Sequence, residues 1–410
     1  MQHQQHLIVI GGGAAGFFCA INAARLNPNL RVTIVEKSNK ILSKVKVSGG
    51  GRCNVTHACF DIAELVKYYP RGLNFLKKAF HWFNPKNTVD WFAERGVQLK
   101  TEADGRMFPI TDNSQTIIDC LLREANKYKV EILFQCDIKS VELQDNNFVL
   151  HTFNFPLLTA NFLCIACGGF PKSSQFEWLT QTGHTIEEPV PSLFTFNMPG
   201  NTITQLMGVS VENATVKIAG TKLQQTGPVL ITHWGLSGPG VLKLSAWAAR
   251  ELADCNYKFS TIINWLPAFN EHTLKEEILH VRNRDAAHKI SSKNAFGLPA
   301  RLWQYFLEQC GINPELRWAD LPAKQQQKLV QTITGQVFDV NGKTTFKEEF
   351  VTSGGIKLQE IDANAMQSKL VPNLYFAGEI MNVDGVTGGF NFQHAWTSGF
   401  IAAKSIVGIY

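Results

Sequence analysis

A glycine-rich turn between two short apolar runs constrains this chain more than any other stretch. Leu7-Ile8-Val9-Ile10 is apolar, and Gly11-x-Gly13-x-x-Gly16 follows and passes into a helical pattern. A second apolar run, Val32 to Val35, ends on Glu36, twenty residues beyond Gly16. A GxGxxG alone is weak. In the order strand, glycines, helix, strand, acid, it specifies a βαβ unit that holds a dinucleotide. Gly11 permits the tight turn out of the strand. Gly13 lets backbone approach a pyrophosphate, and Gly16 brings the helix close to the sheet. The N–H groups that open the helix at Ala14 and Ala15 offer partial positive charge to the phosphates. Glu36, with Lys37 beside it, is placed to meet an adenosine ribose. An acid there disfavours a 2′-phosphate, so FAD or NAD is expected at this site rather than NADP.

The length of 410 residues implies two or three domains. With 45% hydrophobic and 18% charged residues the balance is that of a soluble protein. The excess of Lys and Arg, 39 − 34 = +5, is mild. Basic residues gather only in short groups such as Lys77-Lys78 and Arg282 to Arg284, so no nucleic-acid partner is expected. No apolar run approaches a membrane span. MQHQQH leads into the first strand without a charged n-region or cleavage site. Nine cysteines, an odd number in apolar surroundings, suit reduced thiols. A cytoplasmic protein is expected, and its oligomeric state is left open.

Residues 1–190 alternate strands and helices around a central parallel sheet, with an amphipathic helix at Gln115 to Lys127 and a β-meander beginning at Ile138. That meander turns through Asp145-Asn146-Asn147. Asn161 to Ala166 is an apolar strand closing on Cys167-Gly168-Gly169. Short alternating runs then suggest a small antiparallel sheet or barrel: Leu193 to Asn197, Ser210 to Ile218, Lys222 to Gln225, Val229 to Thr232 and Lys258 to Asn264. Leu274 to Arg282, Ala300 to Cys310 and Lys324 to Thr332 read as helices, and Asn341-Gly342 as a hairpin turn. A strand at Asn373 to Glu379 and a helix from Asn391 to Ile406 return the chain to α/β texture. The expected fold is α/β: a discontinuous FAD-binding Rossmann-like domain (1–190 and 353–410), an inserted β-rich, barrel-like domain (191–268 and 334–352) and a small helical domain (269–333).

Several motifs stand together: Gly11 to Gly16, Ser48-Gly49-Gly50-Gly51-Arg52-Cys53-Asn54, Gly235-Leu236-Ser237-Gly238-Pro239, Val351-Thr352-Ser353-Gly354-Gly355, and Tyr375-Phe376-Ala377-Gly378-Glu379 followed by Asp384-Gly385-Val386-Thr387-Gly388-Gly389-Phe390-Asn391. The set resembles a bacterial family of FAD-dependent oxidoreductases named variously after a bile-acid Δ4,6-reductase and an aminoacetone oxidase. That family lies within the glutathione-reductase-like superfamily of flavoproteins. The resemblance implies FAD as cofactor and the split-domain architecture. It also implies that Glu379 sits near the ribityl or pyrophosphate region, and that the strand leading to Ile138 lends backbone to the adenine. On the residues themselves, the glycines of Ser48 to Asn54 turn backbone N–H groups toward phosphate or ring oxygens, and Arg52 neutralises anionic oxygen. Gly388 and Gly389 aim the last helix at the flavin pyrimidine ring, where its positive end favours the anionic reduced form. Phe390 and Asn391 complete that turn, with Asn391 reaching the ring carbonyls. Asp384, Ala166, Gly168 and Gly169 complete the expected cofactor set.

The catalytic group is not legible. Cys53 and Cys59 are separated by five residues rather than the four of disulfide reductases, and Cys164-x-x-Cys167 lies in an apolar strand. No spacing suits a metal. Cys53, His233 and His394 are the candidates for a reactive thiol or a proton donor. The expected chemistry is hydride transfer from NAD(P)H, bound transiently, through the flavin to a small organic acceptor, with an activated C=C bond favoured. A flavin oxidase of a small amine, an RNA-modifying flavoprotein and a non-catalytic flavin sensor are the alternatives.

Overall fold

The two apolar runs that flank the glycine turn pair as neighbours in a parallel sheet. His6–Ile10 (β1), Arg31–Val35 (β2), Glu131–Leu133 (β3), Phe162–Ile165 (β4) and Leu374–Phe376 (β5) stand in the order β5-β4-β1-β2-β3. Every neighbouring pair is parallel. The helix Ala14–Leu26 (α1) carries the chain from β1 to β2. Leu7, Ile8 and Val9 of β1 are sealed from solvent, as are Leu163, Cys164 and Ile165 of β4. Strands covered on both faces read as continuous apolar runs for this reason. The computed structural model describes residues 4–345 and 351–409. The chain divides into two compact units, Met1–Ser192 with Phe346–Tyr410, and Leu193–Thr345. Of the expected boundary segment 334–352, residues 346–350 lie outside the described residues.

In the first unit the last helix, Phe390–Ile406 (α2), lies against α1. Gly399 makes this possible, because a Cβ there would stand 2.7 Å from the Ala15 carbonyl oxygen and 3.1 Å from the Cys19 nitrogen. Several buried polar residues of α2 are paired, as interior polar groups usually are. Gln393 Oε1 accepts from the Thr56 hydroxyl at 2.6 Å and the Thr88 hydroxyl at 2.9 Å. Thr397 donates to the Phe83 carbonyl at 2.8 Å. His394 is 2% exposed, and its Nε2–H meets the Gly378 carbonyl oxygen at 3.2 Å. Burial pushes this imidazole down to about 4, so the ring is neutral. Nearby, Arg95 is enclosed: it lies 3.8 Å over the Trp91 ring and pairs with the buried Glu124 at 3.0 Å. The expected meander is present as Ile138–Gln144, Asn147–Thr152 and Leu158–Ala160, with Asp145 and Asn146 at φ 47° and 63° in its first turn.

The second unit holds a seven-segment antiparallel sheet. Gln336–Asn341 pairs with Lys258–Asn264, whereas Lys343–Thr344 pairs with Thr195–Asn197 at the opposite edge. One continuous stretch of chain therefore joins both edges and closes the sheet into a barrel. This corrects the expected Asn341-Gly342 hairpin. Gly342, at φ 102°, bends a strand that changes partner rather than one that folds back on itself. The two runs expected at 222–225 and 229–232 form one strand, Gln224–Thr232. The partner strand shifts register between Val211 and Ala214, opposite Pro228, and that bulge accommodates the missing N–H. Helices Glu271–Arg284, Ala300–Cys310 and Ala323–Gly335 share one apolar core with the barrel through Trp265, Ile278, Trp303, Phe306 and Phe338. The indole N–H groups of Trp265, Trp303 and Trp318 all find oxygen acceptors, at 2.9, 2.9 and 3.1 Å.

Two outcomes follow for stability. Glu124→Ala leaves the Arg95 guanidinium only Glu94 and the Trp91 carbonyl as polar partners among the described residues and is expected to cost about 1–3 kcal/mol, read as a lower urea midpoint. His394 has its folded pKa depressed below the unfolded value of 6.5. The unfolded chain alone takes up that proton as pH falls from about 6.5 to about 4, so stability is full above this window and declines through it. The His394 share of the loss is about 3 kcal/mol. Unfolding curves of the wild type and His394→Gln across that range should converge toward the acid end.

Candidate functional site

The turn after β1 is built so that only backbone faces outward. Gly11 lies at φ 113°, and a Cβ there would stand 2.5 Å from the Ala166 carbonyl oxygen at the end of β4. A Cβ on Gly16 would stand 2.0 Å from the Gly11 oxygen. Gly13 differs: nothing lies within 4 Å of a Cβ there. No side chain caps α1, and no acid occupies its first turn. The N–H groups and positive end of a 13-residue helix thus open onto free space, which fits an anion. Glu36 is held at the side of this cradle. Its two carboxylate oxygens accept the N–H groups of Gly12 and Ser38, each at 2.9 Å. Lys37 is exposed and stands 5.6 Å over the Phe170 ring, while Ile138 is buried at the start of the meander. Gly168, at φ 80°, also faces open space, whereas Gly169 is walled by Thr352 and Glu379.

The Ser48–Asn54 segment is a kink at the end of a helix that the sequence reading missed, Ser43–Gly51. Gly49, Gly50 and Gly51 have φ of 59°, 68° and 85°. Gly50 and Gly51 face open space, while Gly49 packs on Phe108. Arg52, expected to neutralise a ligand oxygen, pairs instead with Glu102 at 2.6 Å and Asp112 at 3.6 Å. Its guanidinium lies 4.0 Å over Phe108, and its Nε donates to the Gly49 carbonyl at 3.3 Å. Arg52 here locks the glycine loop. Cys53 is sealed, and burial pushes its thiol up to about 12, which keeps it protonated. All nine cysteines are free. Asn54 places its side-chain oxygen 3.0 Å from the Gly389 N–H, at the start of α2.

At the carboxyl end of β5, Gly378 donates its N–H to Ser398 at 2.9 Å. Glu379 receives Lys44 at 2.6 Å and the Thr352 N–H at 2.8 Å. Asp384 is fully buried between Arg71 and the Ser192 hydroxyl. Burial raises its carboxyl above the usual range against the pull of Arg71. Asn391 spends both ends of its amide on the Gly385 backbone, at 2.8 Å each, rather than turning toward a ligand. Asp384 and Asn391 therefore shape the loop that delivers Gly388 and Gly389, at φ 131° and 94°, to the start of α2. Gly389, which precedes this 17-residue helix, has no side chain of its own to cap it, and the Asn54 oxygen takes the Gly389 N–H. His233 belongs to the second unit, where it is exposed and edge-on to Trp234.

One cluster escaped the sequence reading. His57, Tyr68 and Phe390 lie nearly parallel, with Phe390 4.7 Å from His57 and 4.4 Å from Tyr68. His57 and Tyr68 share no motif with Phe390, which alone of the three stood in the expected cofactor set.

Comparison with known proteins places this geometry in a family. A family model, HI0933-like protein Rossmann domain, matches residues 5–405. The chain is 30% identical to a ribosomal RNA dihydrouridine synthase of Escherichia coli, covering 98% of this chain and 97% of that one. It is also 30% identical to the Haemophilus influenzae protein of the same name, over 99% of each. A 3-dehydro-bile acid delta(4,6)-reductase of Clostridium scindens is 25% identical over 97% of this chain and 98% of its own length. Among solved structures, a 3-ketosteroid delta1-dehydrogenase of Sterolibacterium denitrificans superposes with a TM-score of 0.51 at 13% identity, covering 98% of both chains, which supports the fold. The two relatives named for ribosomal RNA correct the expectation that no nucleic acid is a partner. Among the described residues no helix is long and apolar enough to cross a membrane. The chain belongs to the HI0933-like Rossmann family of dinucleotide-binding flavoproteins.

Proposed function

We propose that this protein binds FAD and reduces a C=C bond conjugated to a carbonyl, with the uracil ring of a uridine in ribosomal RNA as substrate. The observation that carries the reading is the end-to-end likeness to two proteins named for dihydrouridine formation in ribosomal RNA. The bile-acid reductase relative supports the same bond chemistry, because an unsaturated ketone and the 5,6 bond of uracil are both alkenes polarised by a carbonyl.

The residues fit FAD. The open face at Gly13 and the uncapped end of α1 take the pyrophosphate, and Glu36 takes the ribose. Gly50, Gly51 and Gly168 offer further backbone to the cofactor without side chains in the way. Glu379 is held by Lys44 and Thr352 for the ribityl side. The start of α2 brings a positive helix end to charge that develops on the ring or on the substrate carbonyl. FAD supplies hydride transfer, with a reduced nicotinamide as its transient reductant.

Gly13→Asp places a carboxylate in the cradle without a clash. It should leave thermal unfolding near that of the wild type while the protein purifies without the visible flavin band. Retention of full flavin by this variant would remove the pyrophosphate assignment. For the activity, FAD-loaded protein is titrated anaerobically with NADH and then NADPH, followed by unmodified ribosomal RNA. Bleaching by one nucleotide and reoxidation by the RNA, with two hydrogens gained on a uridine by mass spectrometry, is the expected result. A flavin that dithionite reduces but neither nicotinamide bleaches would sink the nicotinamide-dependent mechanism.

A further inference from the structure

We infer that Tyr68 is the proton donor of this reduction, an inference that rests on the reading just proposed. Reduction of a conjugated C=C bond needs two groups. Hydride, drawn from a reduced flavin that a reduced nicotinamide replenishes, adds to the β-carbon. The electron pair of the double bond then moves onto the α-carbon and its carbonyl. An acid must deliver a proton to the α-carbon to complete the C–H bond, and water restores the proton of the acid afterwards.

Most proton-bearing side chains around the start of α2 are committed elsewhere. Cys53 and His394 are sealed, the second with its N–H on the Gly378 carbonyl. Tyr69 is sealed as well, and its hydroxyl donates to the Phe390 carbonyl at 2.7 Å. His57 has its Nε2 on the Asp104 carbonyl at 3.1 Å. Asp384 is bound by Arg71 and Ser192.

Tyr68 differs from its neighbour Tyr69 in the respect that matters. It is half-buried, and its hydroxyl makes no hydrogen bond among the described residues. Its ring is held firmly. It lies 10° from parallel on Phe390, the first residue of α2, at 4.4 Å between centroids. Its carbonyl accepts the Val386 N–H at 2.9 Å, which ties it to the loop between Asp384 and Gly388. A fixed ring with an uncommitted O–H, beside the start of a long helix, suits a general acid. That helix end stabilises the substrate oxyanion while the phenol supplies the proton.

The test uses FAD-loaded full-length protein and Tyr68→Phe, which removes one oxygen and keeps the stack. After anaerobic reduction by the effective nicotinamide, the flavin is reoxidised by two probes, unmodified ribosomal RNA and 2-cyclohexen-1-one. The expected result is an unchanged rate of flavin reduction, an unchanged melting temperature and reoxidation by the productive probe slowed by about 100-fold or more. The solvent deuterium effect on reoxidation should change in size, because solvent rather than the phenol then delivers the proton. Tyr69→Phe is the structural comparator, expected to lower the melting temperature while keeping the wild-type deuterium effect. Reoxidation of Tyr68→Phe within about threefold of wild type overturns the proposal, as does a loss that appears in His233→Gln instead. Wild type that reacts with the enone but not the RNA defeats the RNA substrate alone, and Tyr68 is then judged on the enone. Wild type that reacts with neither overturns both.

Discussion

Backbone meets backbone at the carboxyl ends of β1, β4 and β5, and the rest of the first unit is arranged around that crowding. The Gly11 turn runs against the Ala166 carbonyl, the Gly16 helix turn runs against Gly11, and Gly399 of α2 runs against Ala15 of α1. Each contact is closer than any side chain permits. Two helices, α1 and α2, begin at the same end of one sheet, the first without a side-chain cap and the second with Asn54 on its Gly389 N–H. The open positive end of α1 is a fixed field that costs no reorganisation when an anion arrives.

Several charged side chains around the glycine loops answer one another. Arg52 is paired with Glu102 and Asp112, Lys44 with Glu379, and Arg71 with Asp384. These pairs hold loops in place: the glycine kink at 49–51, the end of β5 and the approach to α2. What is left to face a ligand is mainly backbone N–H, together with the oxygens of Glu36. On the proposed reading a mild net charge is compatible with an RNA substrate, because base contacts carry sequence discrimination while phosphate contacts only position the strand.

The sequence made some of this legible and hid the rest for identifiable reasons. The βαβ unit, the helices Gln115–Lys127 and Ala300–Cys310, and the strands Ser210–Ile218 and Lys258–Asn264 follow from local periodicity. Their signal is contained within their own residues. Arg52 and Asn391 were assigned to a ligand because both residue types suit it, yet their actual partners come from Glu102 and from the Gly385 backbone. Partners supplied by distant segments leave no spacing to read. The Asn341-Gly342 turn shows the same limit, since its local chemistry is that of a hairpin while the strand pairing on either side of it is decided by different edges of the barrel. The Val351–Ile356 strand carried a motif without a period, because its two glycines pack against the Glu187–Pro189 backbone and Ile380 rather than present alternating faces.

The two tyrosines at 68 and 69 show how position divides one chemistry into two uses. Both touch Phe390, one by its ring face and the other by its hydroxyl. The Tyr69 hydroxyl donates to the Phe390 carbonyl inside a sealed environment, where an unpartnered hydroxyl would cost about 1–3 kcal/mol. The Tyr68 hydroxyl satisfies nothing among the described residues, so packing alone would be served equally by phenylalanine. On the proposed reading the difference is functional. A steroid enone and a uracil ring share little in shape, yet each needs hydride on one carbon, a proton on the next and a field that holds the transient oxyanion. On that reading the start of α2 and the phenol stacked on its first residue would meet the last two needs without reference to the rest of the substrate. Substrate choice within such a family can therefore change through surfaces remote from these groups while the bond chemistry stays fixed.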